Sequence, residues 1–351
     1  MSQALNTLKK QMSEKELSDL IITDYYNLKY FVDIDIQSGE RMIALLVNDN
    51  GNYLFVNELF TAKENADYTI VYYNDTQNPI ELLAQRLTGK HIGVDGKWSA
   101  AFLLRLMNCY PADYTDCGEI IAKIRYIKTA DEQEKMRQAS KDNDEVMSRI
   151  IPYLQIGITE KQVYNTLLEL FEEITHEPVS FEPIVAFGKN AADPHHISDN
   201  TVLKEGDAVL IDMGSHYQGY CSDMTRTFLQ KNAKIEEIYE IVKQANILAE
   251  QAIQPGKKLK EIDKVARDYI SSFGYGQYFT HRLGHGIGLE VHEPYDVSQA
   301  NDIIIVEGMC FSIEPGIYLP NIGGVRIEDL VLVGKDKAIV LNNFSKEKQY
   351  I

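Results

Sequence analysis

Two aspartates, Asp212 and Asp223, lie in "LIDMGSHYQGYCSDMTRTF", residues 210–228, inside runs that otherwise read as β-strand. By alternation, Ala208, Leu210 and Asp212 share one face of the first run, and Cys221, Asp223, Thr225 and Thr227 share one face of the second. The middle, "GSHYQG", is turn-rich, so the two carboxylates are predicted to face each other across a hairpin. Glu314 ends the strand pattern "MCFSIEPGIYL", and Glu328 sits in another, "GGVRIEDLVLV". A lone acid in a strand is ordinarily solvated. Four in strongly apolar runs are a different matter, because two unit charges about 5 Å apart at an effective dielectric of about 20 repel by roughly 3 kcal/mol. Protonation or bound cations relieve such repulsion. Two divalent ions balance four carboxylates charge for charge, and hard oxygen donors suit manganese and similar ions.

Histidines reinforce the pattern. "THRLGHGIGLEVHEPY" carries His281, His285 and His292. His281 and His285 are four apart, the spacing of a zinc-binding pair on a helix. Gly284, Gly286 and Gly288 argue against a helix there and predict a strand or loop with its backbone packed close to a neighbour. Upstream, "DPHHIS" places His195 and His196 in a turn beside Pro194, which taken alone reads as a loop feature. Thr225, on the Asp223 face, is positioned to hydrogen-bond a liganding group.

The elements that must carry these residues fall into two stretches. Residues 1–125 read as a small α/β domain: a polar N-terminal helix, "DLIITD" as a strand, and "RMIALLVNDNGNYLFVNELF" as a hairpin turning at Asn50-Gly51. "YTIVYYN" and "KHIGVDG" read as strands and "WSAAFLLRLMN" as a helix. Near residue 125 the texture changes. Thr129 with Glu132 forms a capping box, and Met136, Ala139, Met147 and Ile150 recur at helical spacing. The boundary is placed there, giving domains 1–125 and 126–351. In the second, "LQIGITEKQVYNTLLELF" and "IQPGKKLKEIDKVARDYI" echo each other. With Gly157 set on Gly256, Val163 falls on Ile262.

The chain has 351 residues, 44% hydrophobic and 25% charged, with a formal net charge of −17. That charge argues against a nucleic-acid partner. No apolar run approaches the roughly 20 residues that span a bilayer, and "MSQALNTLKKQMSEKEL" lacks the apolar core of a signal peptide. Cys109, Cys117, Cys221 and Cys310 show no CxxC spacing and read as reduced thiols, which predicts a cytoplasmic protein.

Taken together, the motifs resemble the creatinase/methionine-aminopeptidase superfamily, the pita-bread metallopeptidases, and within it the Xaa-Pro dipeptidases (prolidases) and aminopeptidase P. The likeness covers essentially the whole chain and rests on Asp212, Asp223 in "SDMTRTF", His285 in "GHGIG", Glu314 in "IEPGIY" and Glu328 in "GVRIED". It implies an α+β fold, with a pita-bread catalytic domain behind a smaller creatinase-like N-terminal α/β domain. It implies two divalent ions per chain, manganese (Mn2+) first, with cobalt or zinc as substitutes. Asp212 and Asp223 would bind one ion and His285 and Glu314 the other, with Asp223 and Glu328 bridging. Glu314 would handle the proton of the attacking water. His281 and His292 would orient the scissile carbonyl, His195 would touch substrate, and Arg326 would steady the Glu328 side. The substrate would be a small peptide and the assembly a homodimer. Three functions stay open: an Xaa-Pro dipeptidase, an aminopeptidase P taking longer Xaa-Pro-Yaa peptides, and a non-catalytic binding module, against which all five ligands argue. One departure bears on the first two. Prolidases commonly carry an arginine in an "HExPR" pattern, where it can bind the dipeptide carboxylate; here the stretch is "HEPYD", with Asp296 at that place.

Overall fold

Short apolar runs between turn residues become strands, and longer runs with 3.6-residue periodicity become helices. The chain divides between Arg125 and Tyr126 into two units of such elements. The structure, a computed structural model, describes residues 3–37 and 39–351.

In the first unit, β1 (Asp19–Ile22), β2 (Ala44–Asn48), β3 (Gly51–Asn57), β4 (Thr69–Tyr73), β5 (His91–Val94) and β6 (Asp113–Asp116) form one sheet in the order β4-β3-β2-β1-β5-β6. Helices α1 (Gln3–Glu14), α2 (Tyr25–Val32), α3 (Pro79–Ala84), α4 (Ala100–Cys109) and α5 (Gly118–Tyr126) accompany it. Met1 and Ser2 of the predicted N-terminal helix lie outside the described residues. Two apolar clusters form on this sheet: Leu20, Leu45 and Val47 belong to one, Ile21, Leu46 and Phe55 to the other. The β2–β3 hairpin pairs Asn48 with Gly51, so Asp49 and Asn50 form its tip, one residue earlier than expected from the Asn50-Gly51 signal.

The second unit holds α6 (Ala130–Ile150), α7 (Glu160–Thr175), β7 (Ile184–Phe187), β8 (Val209–Met213), β9 (His216–Tyr217), β10 (Tyr220–Cys221) and β11 (Met224–Phe228). It continues with α8 (Ala233–Ala252), α9 (Leu259–Ser272), β12 (Gly284–Gly286), β13 (Glu293–Val297), β14 (Cys310–Ile313), β15 (Gly316–Leu319), β16 (Gly323–Arg326), β17 (Asp329–Val333) and β18 (Ala338–Val340). Sheets β11-β8-β7 and β13-β12-β14-β17-β18 are accompanied by the short pairs β10-β9 and β15-β16. The Thr129–Glu132 capping box starts α6. Val163, Leu167 and Phe171 of α7 pack on Val185, Val209 and Ile211. No helix among the described residues is long and apolar enough to cross a membrane.

The internal echo is structural. Gly157 has φ 95° and Gly256 φ 93°. Thr159 bridges Val202 as Lys258 bridges Ile304. Leu203 N–H donates to Ile158 O, and Ile305 N–H to Lys257 O. Val163 and Ile262 are both fully buried.

Three expectations about the carboxylate-bearing strands are corrected. Thr225, not Asp223, stands opposite Asp212 in the β8–β11 register; Asp223 precedes β11, a diagonal neighbour on the same face. The turn-rich middle carries a small hairpin of its own, β9–β10, closing on Gln218 (φ 50°) and Gly219 (φ 80°), the positive-φ pair that two-residue hairpins require. Glu328 lies between strands, joining β16 to β17, whereas Glu314 stands just past the end of β14, where its strand was expected to stop.

Candidate metal centre

A cavity of about 620 Å³ opens in the second unit. Its wall includes Asp212, Asp223, His285, Glu314, Glu328, His281, His292, His195, Arg282 and Arg326, with Phe181, Ile184 and Val291 as apolar members. Every residue singled out from the sequence for chemistry is therefore on one wall, Thr225, His196 and Asp296 excepted.

Backbone packing fixes the centre. A Cβ on Gly284 would lie 1.9 Å from Ser312 O, and one on Gly286 2.1 Å from the Tyr295 ring. Only glycine lets β12 approach its neighbours this closely, as the run of glycines led us to expect. His285 between them is 3% exposed. Its Nδ1 lies 3.2 Å from Gly286 O, a carbonyl that can only accept, so Nδ1 carries the proton and Nε2 presents a lone pair. That Nε2 stands 3.5 Å from Asp223 Oδ2, 3.6 Å from Glu314 Oε1 and 4.0 Å from Glu328 Oε1.

An acceptor thus faces three acceptors. Asp212 Oδ1, Asp223 Oδ1 and Glu328 Oε1 are also buried without a hydrogen-bond partner, whereas buried polar atoms ordinarily find one. Burial pushes the carboxyls up, Asp223 with the help of Asp212, and Glu328 with the help of Asp223 and Glu314. Burial also raises Glu314 to about 7, against the opposing pull of His285 and Arg326. Burial holds His285 below its ordinary value and so neutral. Converging acceptors whose charges burial disfavours suit divalent cations, and Asp223, His285 and Glu328 bring their donor atoms within 4.8 Å of one another.

A cationic brace lies behind this cluster. Arg326 donates from Nη2 to Asp212 Oδ2 at 2.6 Å, from Nε to Thr225 Oγ1 at 3.0 Å and from Nη1 to Tyr318 Oη at 2.9 Å. Thr225 passes the contact to Glu328 Oε2 at 2.8 Å. Arg326 therefore grips Asp212 directly and reaches the Glu328 side, as expected of it, through Thr225. Burial opposes its charge, but Tyr318, Asp212 and Glu314 outweigh that and raise it further. Tyr318 was missed in the sequence; its one signal is its place in "EPGIY", four residues after Glu314. His281 Nδ1 lies 2.7 Å from Arg282 O and so carries the proton, leaving Nε2 to accept from Tyr318 Oη at 2.8 Å. Burial, with Arg326, pushes His281 down to about 3, and burial with His285 pushes His292 down to about 4.

The joint after Glu328 has its own anchor. Arg226 Nη1 donates to Glu328 O at 2.6 Å, and its Nη2 to Asp329 Oδ1 at 2.7 Å and Phe344 O at 2.8 Å. Lys346 adds ion pairs to Asp329 (2.9 Å) and Glu250 (2.6 Å). Asp296 faces other work: Ser298 Oγ donates to its Oδ1 at 2.9 Å, and Asn301 Nδ2 to its main-chain O at 2.7 Å. A second grouping, Glu160, His196 and Asp199, gathers outside the cavity wall.

The chain is similar to known proteins along its length. Metallopeptidase family M24 matches residues 134–335, and the creatinase/prolidase N-terminal domain matches residues 5–127. An uncharacterized peptidase of Staphylococcus aureus (strain bovine RF122 / ET3-1) is 38% identical over 342 residues, 96% of this chain and 97% of that one. A crystal structure of a dipeptidase from Pyrococcus horikoshii OT3 shares 33% identity at a TM-score of 0.93, covering 99% of this chain and 100% of its own. A structure of an Xaa-Pro dipeptidase from Bacillus anthracis shares 29% identity at a TM-score of 0.93, with 99% of each chain covered.

Proposed function

The chain belongs to metallopeptidase family M24 and is a metal-dependent peptidase of α+β pita-bread fold with a creatinase-like N-terminal domain, and from that premise we propose that it hydrolyses the Xaa-Pro bond of short peptides as an Xaa-Pro dipeptidase. The neutral His285 Nε2 facing three carboxylate oxygens carries this reading, since it gives the cation-dependent step a place. Asp212 and Asp223 would hold one ion and His285 and Glu314 the other, with Asp223 and Glu328 shared. Manganese suits this oxygen-rich set.

Divalent ions bound there supply Lewis acidity, polarising the scissile carbonyl and lowering the pKa of water. The protein does the rest. Glu314, on the cavity wall beside His285, is placed to take and return a proton. His292 and His195 line the cavity and are placed to touch the peptide. His281 can donate to a developing oxyanion from Nδ1 only by leaving Arg282 O, or from Nε2 only by changing tautomer and releasing Tyr318, because both its nitrogens are occupied. Phe181, Ile184 and Val291 offer an apolar wall for a proline ring.

The substrate's carboxylate needs a cation. Asp296, at the place where prolidases commonly keep arginine, is engaged with Ser298 and Asn301. Arg282 lines the cavity, and we assign the carboxylate to it. That favours dipeptides, and aminopeptidase P action on Xaa-Pro-Yaa is the second reading. Four cysteines outside any disulfide support a reducing, cytoplasmic setting. We assign catalysis to residues 126–351, and a homodimer as the assembly, to be read from mass in solution. Hydrolysis of matched Xaa-Pro and Xaa-Pro-Yaa peptides after manganese, cobalt or zinc loading tests the function. The dipeptidase reading fails if the tripeptide is cut and the dipeptide is not under every metal.

A further inference from the structure

The loop that brings His195 to the cavity is tied to a buried charge outside the metal centre. Glu160 opens α7 and is fully buried. Its hydrogen bonds go to residues 187–199. Oε1 accepts from Phe187 N–H at 2.7 Å and Asn190 Nδ2 at 2.9 Å; Oε2 accepts from Asp199 N–H at 3.0 Å and from His196 Nε2 at 2.7 Å. Both oxygens are doubly engaged, which leaves no lone pair for an ion and rules out the grouping with His196 and Asp199 as a second metal site.

The internal repeat shows that the fold does not require this carboxylate. Setting Gly157 on Gly256 places Glu160 on Leu259. Glu160 N–H donates to Thr201 O as Leu259 N–H donates to Ile303 O, so the backbones are equivalent. Leu259 is fully buried too. The second half starts its helix on a leucine, and the first half buries a charge there, which is costly unless the charge is fully bonded. What the charge gains is the loop. None of residues 192–200 is buried, and Ile197 is 85% exposed, so apolar packing does not hold the segment in place.

We propose that Glu160 is a positioning residue which, through His196 and the backbone of residues 187–199, fixes where His195 stands in the cavity wall. This rests on the reading of His195 as a substrate contact. The test is steady-state kinetics on an Xaa-Pro peptide, with metal-loaded wild type, His195→Ala, Glu160→Gln, His196→Gln and the doubles with His195→Ala. Glu160→Gln should raise KM roughly tenfold with a smaller loss in kcat, short of the roughly hundredfold that a misplacement of about 1 Å can cost. It should leave metal content unchanged and add nothing further in the His195→Ala background. If Glu160→Gln does not fold, His196→Gln, which leaves the backbone bonds of Glu160 in place, should show the same KM rise and the same lack of additivity. Effects that multiply overturn the proposal alone, as does a Glu160→Gln protein that loses thermal stability at unchanged KM. A His195→Ala protein with wild-type kinetics overturns the reading of His195 and the proposal with it.

Discussion

At the scale of single residues, the site separates side chains that would hold ions from side chains that would meet substrate. Asp223 has one oxygen without a partner and the other 3.5 Å from His285. Asp223→Ala should abolish metal binding and turnover together, as read by elemental analysis beside kinetics. His281 bonds to Arg282 O and Tyr318, so His281→Ala should keep the metals and lose turnover by roughly 2.7–4 kcal/mol, the scale of one transition-state donor. Loss of metal from that variant would mean that the role given to His281 is wrong. Arg282 and Asp296 make a second pair. A charge-assisted contact to a dipeptide carboxylate is worth about 1.5–3 kcal/mol. Arg282→Met should therefore lower dipeptide kcat/KM at least about tenfold and affect a tripeptide less. Asp296→Ala should leave that ratio unchanged, since its carboxylate serves Ser298. A shifted ratio in Asp296→Ala with none in Arg282→Met would reverse the assignment.

At the scale of elements, three of the four acids sit where strands stop, Asp212 alone lying within one. Asp223 precedes β11, Glu314 separates β14 from β15, and Glu328 separates β16 from β17. A joint frees a carboxylate from the alternation of a strand while paired strands on either side hold its backbone. The surrounding strands were legible because period-two alternation and turn residues mark them locally. That "VRIEDLVL" breaks in two was not, because it reads as an unbroken apolar pattern and the break arises from pairing with distant partners. The brace by Arg326 on Asp212 was illegible for the same reason, since the two are 114 residues apart. The glycines of "GHGIG" were legible as close approach, though not against what. Gly284→Ala puts that to a measurement: its Cβ would collide with Ser312 O, a backbone atom, and push β12 from β14. The variant should lose metal affinity about ten- to a hundredfold and melt earlier. A variant with native metal affinity would mean that β12 has room to shift.

At the scale of the whole molecule, the acid cluster links stability to pH. Without metal, burial and mutual repulsion make Asp223, Glu314 and Glu328 hold protons in the fold that the unfolded chain has already released. Their contribution is full at low pH and is lost as pH rises through the folded values. The buried His281 and His292 act oppositely, but only below their ordinary 6.5, where the unfolded imidazoles gain protons that the fold refuses. From about 6.5 up to the raised folded values the acid cluster dominates, joined by Glu250, which burial also raises to about 7. Melting temperature in excess chelator should fall across that window, and the gain on adding manganese should grow. A gain that is flat or shrinks across the window would sink this account. The long separations behind the site, 114 residues from Asp212 to Arg326 and 103 from Thr225 to Glu328, carry a consequence in time. Each contact closes a long loop, and such closures reward the chain only once the intervening structure is in place. Helices and hairpins of both halves are therefore expected to form first, and the acids to converge last. Contacts made after the folding barrier change the unfolding rate and leave the folding rate nearly untouched. The cation then acts as a latch and not as a seed: it lengthens the life of the folded chain without hastening its birth.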